Sequence, residues 1–285
     1  CEETVSPVPI VFSTRFFANL TERISGSIHL SVSSGDRKLF NDTYPISVLS
    51  YNEWCGTQVL PEILAAFSIP NHPEIPSLTR RAGEILGDWT GAPSLDEYQR
   101  RDPNRVKLQM AAVYEAIAEK NIIYSAPPAS FEKTGQKIRS VDEVISKRLG
   151  TCLDMTMLYV SCLESIGLNP IAVLAPDHSM AGCWLIKDSF PDSVNDDPSM
   201  LTKRTAAGIN EILIVETTCM NAGCRATFDE ACQSADNTLR SSGDVTFIDI
   251  HRSRISQIRP LPLRINGSEG FDIRTWTGGA RLRKI

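Results

Sequence analysis

Residues 148–154 (RLGTCLD) end one helix and begin the next, which constrains the fold more than any other segment. Apolar spacing predicts a short helix over 141–147 and a longer one over 153–166, with a glycine break between them. Cys152 then lies at the first turn of the second helix, where unpaired backbone N–H groups and the positive end of the helix dipole meet. Such a position favours the nucleophilic form of a thiol. The segment therefore predicts a reactive cysteine; the alternative is a buried cysteine that only begins a helix.

A histidine and a carboxylate stand at the ends of two predicted strands further along the chain. His178 precedes a strand predicted over 180–186, and Glu216 closes one predicted over 211–216. Cysteine, histidine and carboxylate are typical of a nucleophile, its base and the group that orients the base. The alternatives are a turn histidine and a glutamate in a salt bridge. Weaker rivals for the acid are Asp196, Asp197 and Asp249.

Three more residues have predicted roles around this set. The backbone N–H of Cys152 is the favoured donor to an oxyanion, and the Gln136 amide is a weaker candidate. Trp184 could form a wall of the substrate site, although a core position is favoured because indoles bury a large area. Asp177 could raise the pKa of His178 if it lies close to the ring.

Composition excludes several other classes of protein. The 285 residues are 42% hydrophobic and 22% charged, with a formal net charge of −5 and a pI near 5.5, which disfavours direct binding of nucleic acid and is ordinary for a globular protein. No apolar run approaches the roughly 18 residues of a membrane span. The chain starts at Cys1 without a signal-peptide pattern, which suggests a fragment of a longer protein. Its eight cysteines are expected to be reduced in the cytoplasm. No cofactor or metal is expected, since Cys219, Cys224 and Cys232 match a zinc site poorly.

The element pattern predicts an α+β protein with three regions. Residues 1–52 are β-rich and suggest a partial immunoglobulin-like segment. Residues 53–265 form the main domain, with a helical leader at 60–121 and a core at 136–265 that carries the candidate site. Residues 266–285 are expected to be a mobile tail or linker. Strands are predicted at 27–33, 38–40, 44–49, 171–174 and 245–250, and helices at 60–67, 75–86, 104–121, 198–207 and 228–240. The predicted core includes Leu153, Met157, Val160, Leu163, Ile171, Val173, Leu185, Leu213 and Val215.

Several short motifs resemble one known domain family, the transglutaminase-like domain of large bacterial helicase-like ATPases. The likeness covers roughly residues 45–265. The motifs are GTCLD at 150–154, CLE at 162–164, GLNP at 167–170, GCWL at 182–185, PPASFE at 127–132 followed by Gly135 and Gln136, and RPLPL at 259–263.

This resemblance implies a papain-like core, in which a helix carrying the cysteine packs on a small antiparallel sheet carrying the base and the acid. It implies a cysteine protease, amide hydrolase or transamidase acting on a protein or peptide, within a larger helicase-like polypeptide. By analogy, it also implies bacterial antiphage or genome-maintenance work. The family usually has aspartate, proline and threonine at the acid, where this chain has Glu216, Thr217 and Thr218. The alternative is a catalytically silent scaffold that recognises a partner and regulates an attached motor.

Overall fold

The computed structural model describes residues 14–224, 226–267 and 270–274. These residues mix helices with small sheets, which confirms the predicted α+β class at this coarse level. The chain divides into two compact units. One is residues 54–261, and the other takes the residues before 54 and after 261.

Helices and strands are numbered here in chain order. The α-helices are α1 (Thr14–Asn19), α2 (Ile75–Thr90), α3 (Pro103–Ala118), α4 (Phe131–Thr134), α5 (Val141–Lys147), α6 (Cys152–Ser165), α7 (Pro198–Thr205), α8 (Phe228–Ser241) and α9 (Ile250–Ile255). The strands are β1 (Ile24–Ser34), β2 (Arg37–Val48), β3 (Glu53–Trp54), β4 (Ile123–Tyr124), β5 (Gln136–Lys137), β6 (Leu149–Gly150), β7 (Pro170–Ala175), β8 (His178–Trp184), β9 (Val194–Asn195), β10 (Ile212–Val215), β11 (Thr246–Asp249), β12 (Leu263–Gly267) and β13 (Gly270–Arg274). Two 3₁₀ helices span Pro61–Phe67 and Thr217–Met220.

The smaller unit contains two antiparallel hairpins among its described residues. Strands β1 and β2 pair from Ile24 opposite Val48 to Ser34 opposite Arg37, which confirms the predicted hairpin. Its turn contains Gly35 at φ +56°, a conformation that favours glycine. Strands β12 and β13 form the second hairpin, which extends from Leu263 into the region 266–285 that was expected to be a mobile tail. Residues 1–13, 268–269 and 275–285 of the predicted terminal regions lie outside the described residues.

The larger unit is built on a five-stranded sheet of order β10-β8-β7-β11-β9, in which every neighbouring pair is antiparallel. Four of these strands match the predicted ones. Strand β9 lies where no strand was predicted. His178 and Glu216, the candidate base and acid, therefore stand at the start of β8 and directly after β10, which are adjacent strands.

Side chains alternate between the two faces of this sheet, and each face packs in a separate hydrophobic core. Along β7, Ile171 and Val173 belong to one core, and Ala172 and Leu174 to the other. Successive residues of a strand point to opposite faces, so the sheet is covered on both sides. Helix α6 packs in the core that holds Ala172, and α7 and α8 supply Leu201, Ala235 and Leu239 to the core that holds Ile171.

The predicted core is confirmed except at one position. Every residue of α6 from Cys152 to Leu163 is buried, and so are Leu185 and Val215. Leu213 is only half-buried. Leu213 lines an open cavity beside β10 and α8, which leaves part of its side chain exposed.

Leu163→Ala is expected to lower the free energy of unfolding by about 2–5 kcal/mol, because Leu163 has no exposed surface and alanine would leave a cavity. Urea denaturation measures the loss. Leu108→Ala on α3 is the matched control, since Leu108 is 37% exposed. A loss at Leu163 no larger than the loss at Leu108 would contradict the packing of α6.

The end of α2 corrects one prediction. The helix was predicted to end at residue 86, just before Gly87, but it continues to Thr90 and is followed by Gly91, whose φ of +70° is left-handed. Gly87 keeps helical geometry and lies close to Pro93, where an added Cβ would come within 3.2 Å. A glycine ends a helix when the chain needs its positive φ; here Gly87 provides room for a neighbour instead.

Candidate active site

Helix α6 begins with a complete capping arrangement. Thr151 Oγ1 accepts a hydrogen bond from Asp154 N at 3.2 Å, and Asp154 Oδ2 accepts one from Thr151 N at 2.9 Å. Asp154 also accepts from the backbone N–H of Arg139 at 2.8 Å and from its guanidinium at 2.6 Å. The reciprocal bonds satisfy donors that would otherwise be unpaired at a helix start. Cys152, the first residue of α6, is therefore held firmly at the positive end of the helix.

The Cys152 side chain is fully buried, with no exposed surface. Strand β6, which leads into α6, pairs in parallel with β4, and Gly150 lies opposite Tyr124. This pairing brings Tyr124, 28 residues earlier by number, next to the start of α6. The Tyr124 side chain is 43% exposed.

A tight turn orients His178 at the start of β8. Asp177 adopts the left-handed conformation with φ +54°, a position where glycine would be expected. Its backbone N–H donates to Glu132 Oε2 at 3.1 Å, and its carboxylate accepts from the backbone N–H of Ser130. The carboxylate of Asp177 thus holds the preceding loop. Asp177 was predicted to raise the pKa of His178. The residues that raise this pKa are instead Cys152 and Glu216.

Glu216 contacts both the His178 ring and its own backbone turn. Its Oε2 lies 2.6 Å from His178 Nε2. Its Oε1 accepts from Thr218 N at 3.0 Å and from Thr218 Oγ1 at 2.6 Å, so the residue caps the 3₁₀ helix that follows β10. The two oxygens have separate partners, and the longer glutamate side chain still reaches the imidazole.

The electrostatics of the pair follow from these contacts. Burial by itself lowers the pKa of His178, but hydrogen bonds and charge interactions with Cys152 and Glu216 outweigh it and raise the pKa to about 10. For Glu216, burial would raise the pKa, yet His178 and Thr218 hold the pKa of the carboxyl below its usual value. A protonated imidazole between a sulfur and a carboxylate is the arrangement these shifts favour.

The predicted oxyanion residue Gln136 lies beside the helix start. It is buried on β5, and its Nε2 lies 3.5 Å from Thr151 Oγ1, the capping hydroxyl of α6. Gln136 and Thr151 are 15 residues apart in the sequence, and the fold brings them together. The Gln136 amide is therefore near the backbone N–H of Cys152, the other predicted donor.

Trp184 and Asp249 both have structural surroundings, and Trp184 has the core position that the sequence favoured over a wall of the substrate site. Trp184 lies in the core that holds Ile171, whereas Cys152 belongs to the core on the other face of the sheet. Its indole N–H donates to Asp249 Oδ2 at 3.1 Å. Asp249 also caps α9 through Arg252 N at 2.8 Å. Side-chain alternation along β8 places Trp184 away from α6.

Tyr124 is the residue that sequence reasoning missed. Partial burial, followed by charge and hydrogen-bonding interactions with Cys152, raises its pKa above the ordinary value for tyrosine. It lies in a two-residue strand outside every motif considered, and only the parallel pairing of β4 with β6 brings it to Cys152. No local pattern in the sequence signals this contact.

Tyr124→Ala is expected to raise the rate at which iodoacetamide labels Cys152 by about fivefold or more, because the variant loses a side chain that interacts with a buried thiol, and one polar interaction contributes about 1 kcal/mol. Peptide mass spectrometry separates Cys152 from the other cysteines. Tyr44→Ala is the control, since Tyr44 is equally exposed at 44% and lies in the β1–β2 hairpin. Equal labelling rates in the two variants would show that Tyr124 does not restrict access.

Metal and disulfide chemistry have no counterpart in the described part of the chain. Among those residues, no group of three or more His, Cys, Asp or Glu side chains is arranged to hold a metal ion. None of the cysteines that the structure describes forms a disulfide. A cavity of about 680 Å³ opens along β10 and α8, next to Ile212 and Asp236, but Cys152, His178 and Glu216 do not line it.

Comparisons with known proteins give little information on the family or activity of this chain. No protein-family model and no curated protein matches the chain. Among solved structures, the chain is similar to "a putative protease" from Parabacteroides distasonis, with a TM-score of 0.26 and 14% sequence identity. The match covers 57% of this chain and 36% of that one, and at this level it carries no argument about activity. Separately, none of the helices in the described residues is long and apolar enough to cross a membrane.

Proposed function

We propose that this protein is a cysteine-dependent acyl-transfer enzyme of transglutaminase-like fold, which acts on a protein or peptide through Cys152, His178 and Glu216. The observation that supports it most is the 2.6 Å contact between His178 and Glu216, with Cys152 interacting with the same imidazole from the start of α6. The three residues come from α6, β8 and the end of β10. A nucleophile, its base and an orienting acid need this kind of convergence.

Acylation begins when the Cys152 sulfur attacks the carbonyl carbon of an amide or ester. The negative charge that develops on the carbonyl oxygen is received by the backbone N–H of Cys152, with the Gln136 amide as a second donor. The protonated His178 ring gives its proton to the leaving amine as the carbon–nitrogen bond breaks. A thioester on Cys152 remains, and Glu216 keeps the ring oriented through its contact with Nε2.

Deacylation reverses the role of His178. The neutral ring takes a proton from water or from an amine as that molecule attacks the thioester carbon, and the Cys152 sulfur departs. Attack by water gives hydrolysis, and attack by an amine gives transamidation. Both outcomes use the same three residues, so the proposal covers a protease or amide hydrolase as well as a transamidase.

Trapping with hydroxylamine tests the proposal directly. The full chain is incubated with a mixture of denatured peptides and hydroxylamine, and hydroxamates are counted by mass spectrometry, alongside labelling of Cys152 by iodoacetamide. Hydroxamate formation is expected in the wild type and is expected to be lost in Cys152→Ala. Cys162→Ala is the matched control, because Cys162 is a second fully buried cysteine of α6 whose pKa burial raises. No hydroxamate and no preferential labelling of Cys152 would reject the enzyme.

Stability should fall as the pH rises, through the ionisation of His178. The pKa of this group is about 10 in the folded chain and near its ordinary 6.5 when unfolded, so between these values the folded state binds more protons. The contribution is then complete below about pH 6.5 and disappears as the pH approaches 10. Urea denaturation at pH 6, 8 and 10 measures it, and His178→Gln should flatten this part of the pH dependence. A wild-type curve that parallels the variant would contradict the raised pKa.

The second candidate is a catalytically silent scaffold that recognises a partner. The full burial of Cys152 favours it, because a substrate carbonyl needs access to the sulfur. The interaction of Cys152 with His178 favours the enzyme, because a scaffold has no need for it. Hydroxamate formation separates the two, since a scaffold forms no thioester on Cys152 that hydroxylamine could trap.

The wider setting is proposed from the sequence motifs alone. We infer a bacterial, cytoplasmic protein in which this segment belongs to a larger helicase-like polypeptide, with antiphage defence as the corresponding role. The proposal rests on the GTCLD and GLNP motifs and their neighbours. Immunoprecipitation of the endogenous protein, followed by measurement of its mass and ATPase activity, tests it. A polypeptide of 31.4 kDa without ATPase activity would reject the helicase context.

A further inference from the structure

Three buried hydroxyl groups form a chain beside the candidate site. Thr156 Oγ1 lies 3.2 Å from Ser179 Oγ and 3.0 Å from Thr217 Oγ1. All three residues have no exposed surface. A buried hydroxyl without a partner is costly, so these hydrogen bonds tie together the elements that carry them.

Each hydroxyl stands next to one member of the proposed triad. Thr156 is four residues after Cys152 on α6, and therefore on the same helical face. Ser179 follows His178 in β8, and Thr217 follows Glu216. Along β8, Ser179 alternates with Met180, which lies in the core that α7 and α8 cover, so Ser179 points toward α6.

We propose that Thr156 is a positioning residue, which holds the backbone of His178 and of Glu216 in register with the start of α6 through Ser179 and Thr217. The inference rests on the proposed function, because it concerns the same three triad residues. An active site works only if its groups are placed to well within 1 Å. The short contact between the His178 ring and the Glu216 carboxylate therefore depends on how β8 and the end of β10 are aligned with α6. The hydroxyl chain is a short path between the three elements, each bond crossing from α6 to one site-bearing segment.

Several titratable groups of the described residues surround His178, and Tyr124 on β4 interacts with two of them, Cys152 and Glu216. Cys152 faces the His178 ring from α6, and Glu216 faces it from the end of β10. The carboxylate of the adjacent Asp177 is engaged by the backbone of Ser130. The titration of His178 therefore reports how well Cys152 and Glu216 are aligned with the ring, and it does so without any substrate.

The test is an NMR titration of the histidine rings in the full chain from pH 6 to 11, with His178→Gln used to assign the signal among the four histidines. Thr156→Val removes the central hydroxyl and keeps the shape of the side chain. Its expected effect is to lower the titration midpoint of His178 by about one pH unit, because alignment with Glu216 is lost. Thr156→Ser restores a hydroxyl at the same place and should return the midpoint to within about 0.3 of the wild type.

Ser161→Ala is the matched control. Ser161 is a fully buried hydroxyl on α6 that donates to Met157 O at 2.6 Å and accepts from Ile69 N at 3.0 Å, away from the three-residue chain. It should lower the melting temperature without moving the His178 midpoint. An unchanged midpoint in Thr156→Val, or an equal change in Ser161→Ala, overturns the proposal. If Thr156→Val does not fold, Ser179→Ala is titrated instead under the same criteria. If Cys152 is unreactive in the wild type, the proposed enzyme activity is rejected. The titration of His178 can still be measured, so it tests the role of Thr156 separately.

Discussion

His178→Gln is expected to slow acylation of Cys152 by about 10²–10⁴-fold, the usual contribution of a positioned acid or base. Glutamine can still donate a hydrogen bond to Glu216, but it cannot carry the proton that the leaving amine needs. The rate is measured as the single-turnover appearance of thioester, trapped with hydroxylamine at saturating enzyme. Because the pKa of His178 is about 10, the loss should be present throughout the neutral range.

Two further variants separate the proton carrier from its orienting group and from simple packing. Glu216→Gln keeps a hydrogen-bonding partner for the His178 ring and removes the charge. It should therefore slow the acylation of Cys152, but by less than His178→Gln does. His72→Gln is the matched control, because His72 also has a carboxylate partner, Asp142 at 3.1 Å, and is even more buried than His178. An acylation rate that falls equally in His72→Gln and His178→Gln would mean that instability, not lost proton transfer, causes the effect.

Asp154→Ala is expected to have the largest effect on stability, a loss of about 3–5 kcal/mol in the free energy of unfolding. Its carboxylate has no exposed surface and accepts hydrogen bonds from Thr151 N and from two groups of Arg139. Alanine would leave these donors without their acceptor and would loosen the start of α6, where Cys152 lies. Urea denaturation and circular dichroism measure the loss.

Glu143→Ala is the control for this prediction. Glu143 occupies the same position in the capping box of α5, but its side chain is 29% exposed, so the loss there should be about 0.5–2 kcal/mol. The difference between the two variants isolates the effect of burial. A loss of less than about 1 kcal/mol at Asp154 would contradict the buried role assigned to it, since surface changes are usually within about 0.5 kcal/mol.

Local signals predicted much of the framework. The spacing of apolar residues and the Gly150 break predicted α5 and α6 to within about one residue, because helix periodicity and glycine breaks act over only a few positions. The strands that carry Ile171 and Ile248 were predicted from short runs of apolar and β-branched residues, which are also a local signal. Where a local signal was ambiguous, as at Gly87, the prediction was wrong.

The sequence by itself determined which residue types stand at the start of a helix, at the head of a strand and at the end of another. It also ranked Glu216 above Asp249 as the acid. Only the tertiary structure decided that Glu216 meets His178, 38 residues away, that Trp184 faces the opposite core, and that Tyr124 and Thr156 join the site. The physical reason is that such contacts depend on strand order, register and helix packing, which are set by the burial of many side chains together rather than by the residues that make the contact.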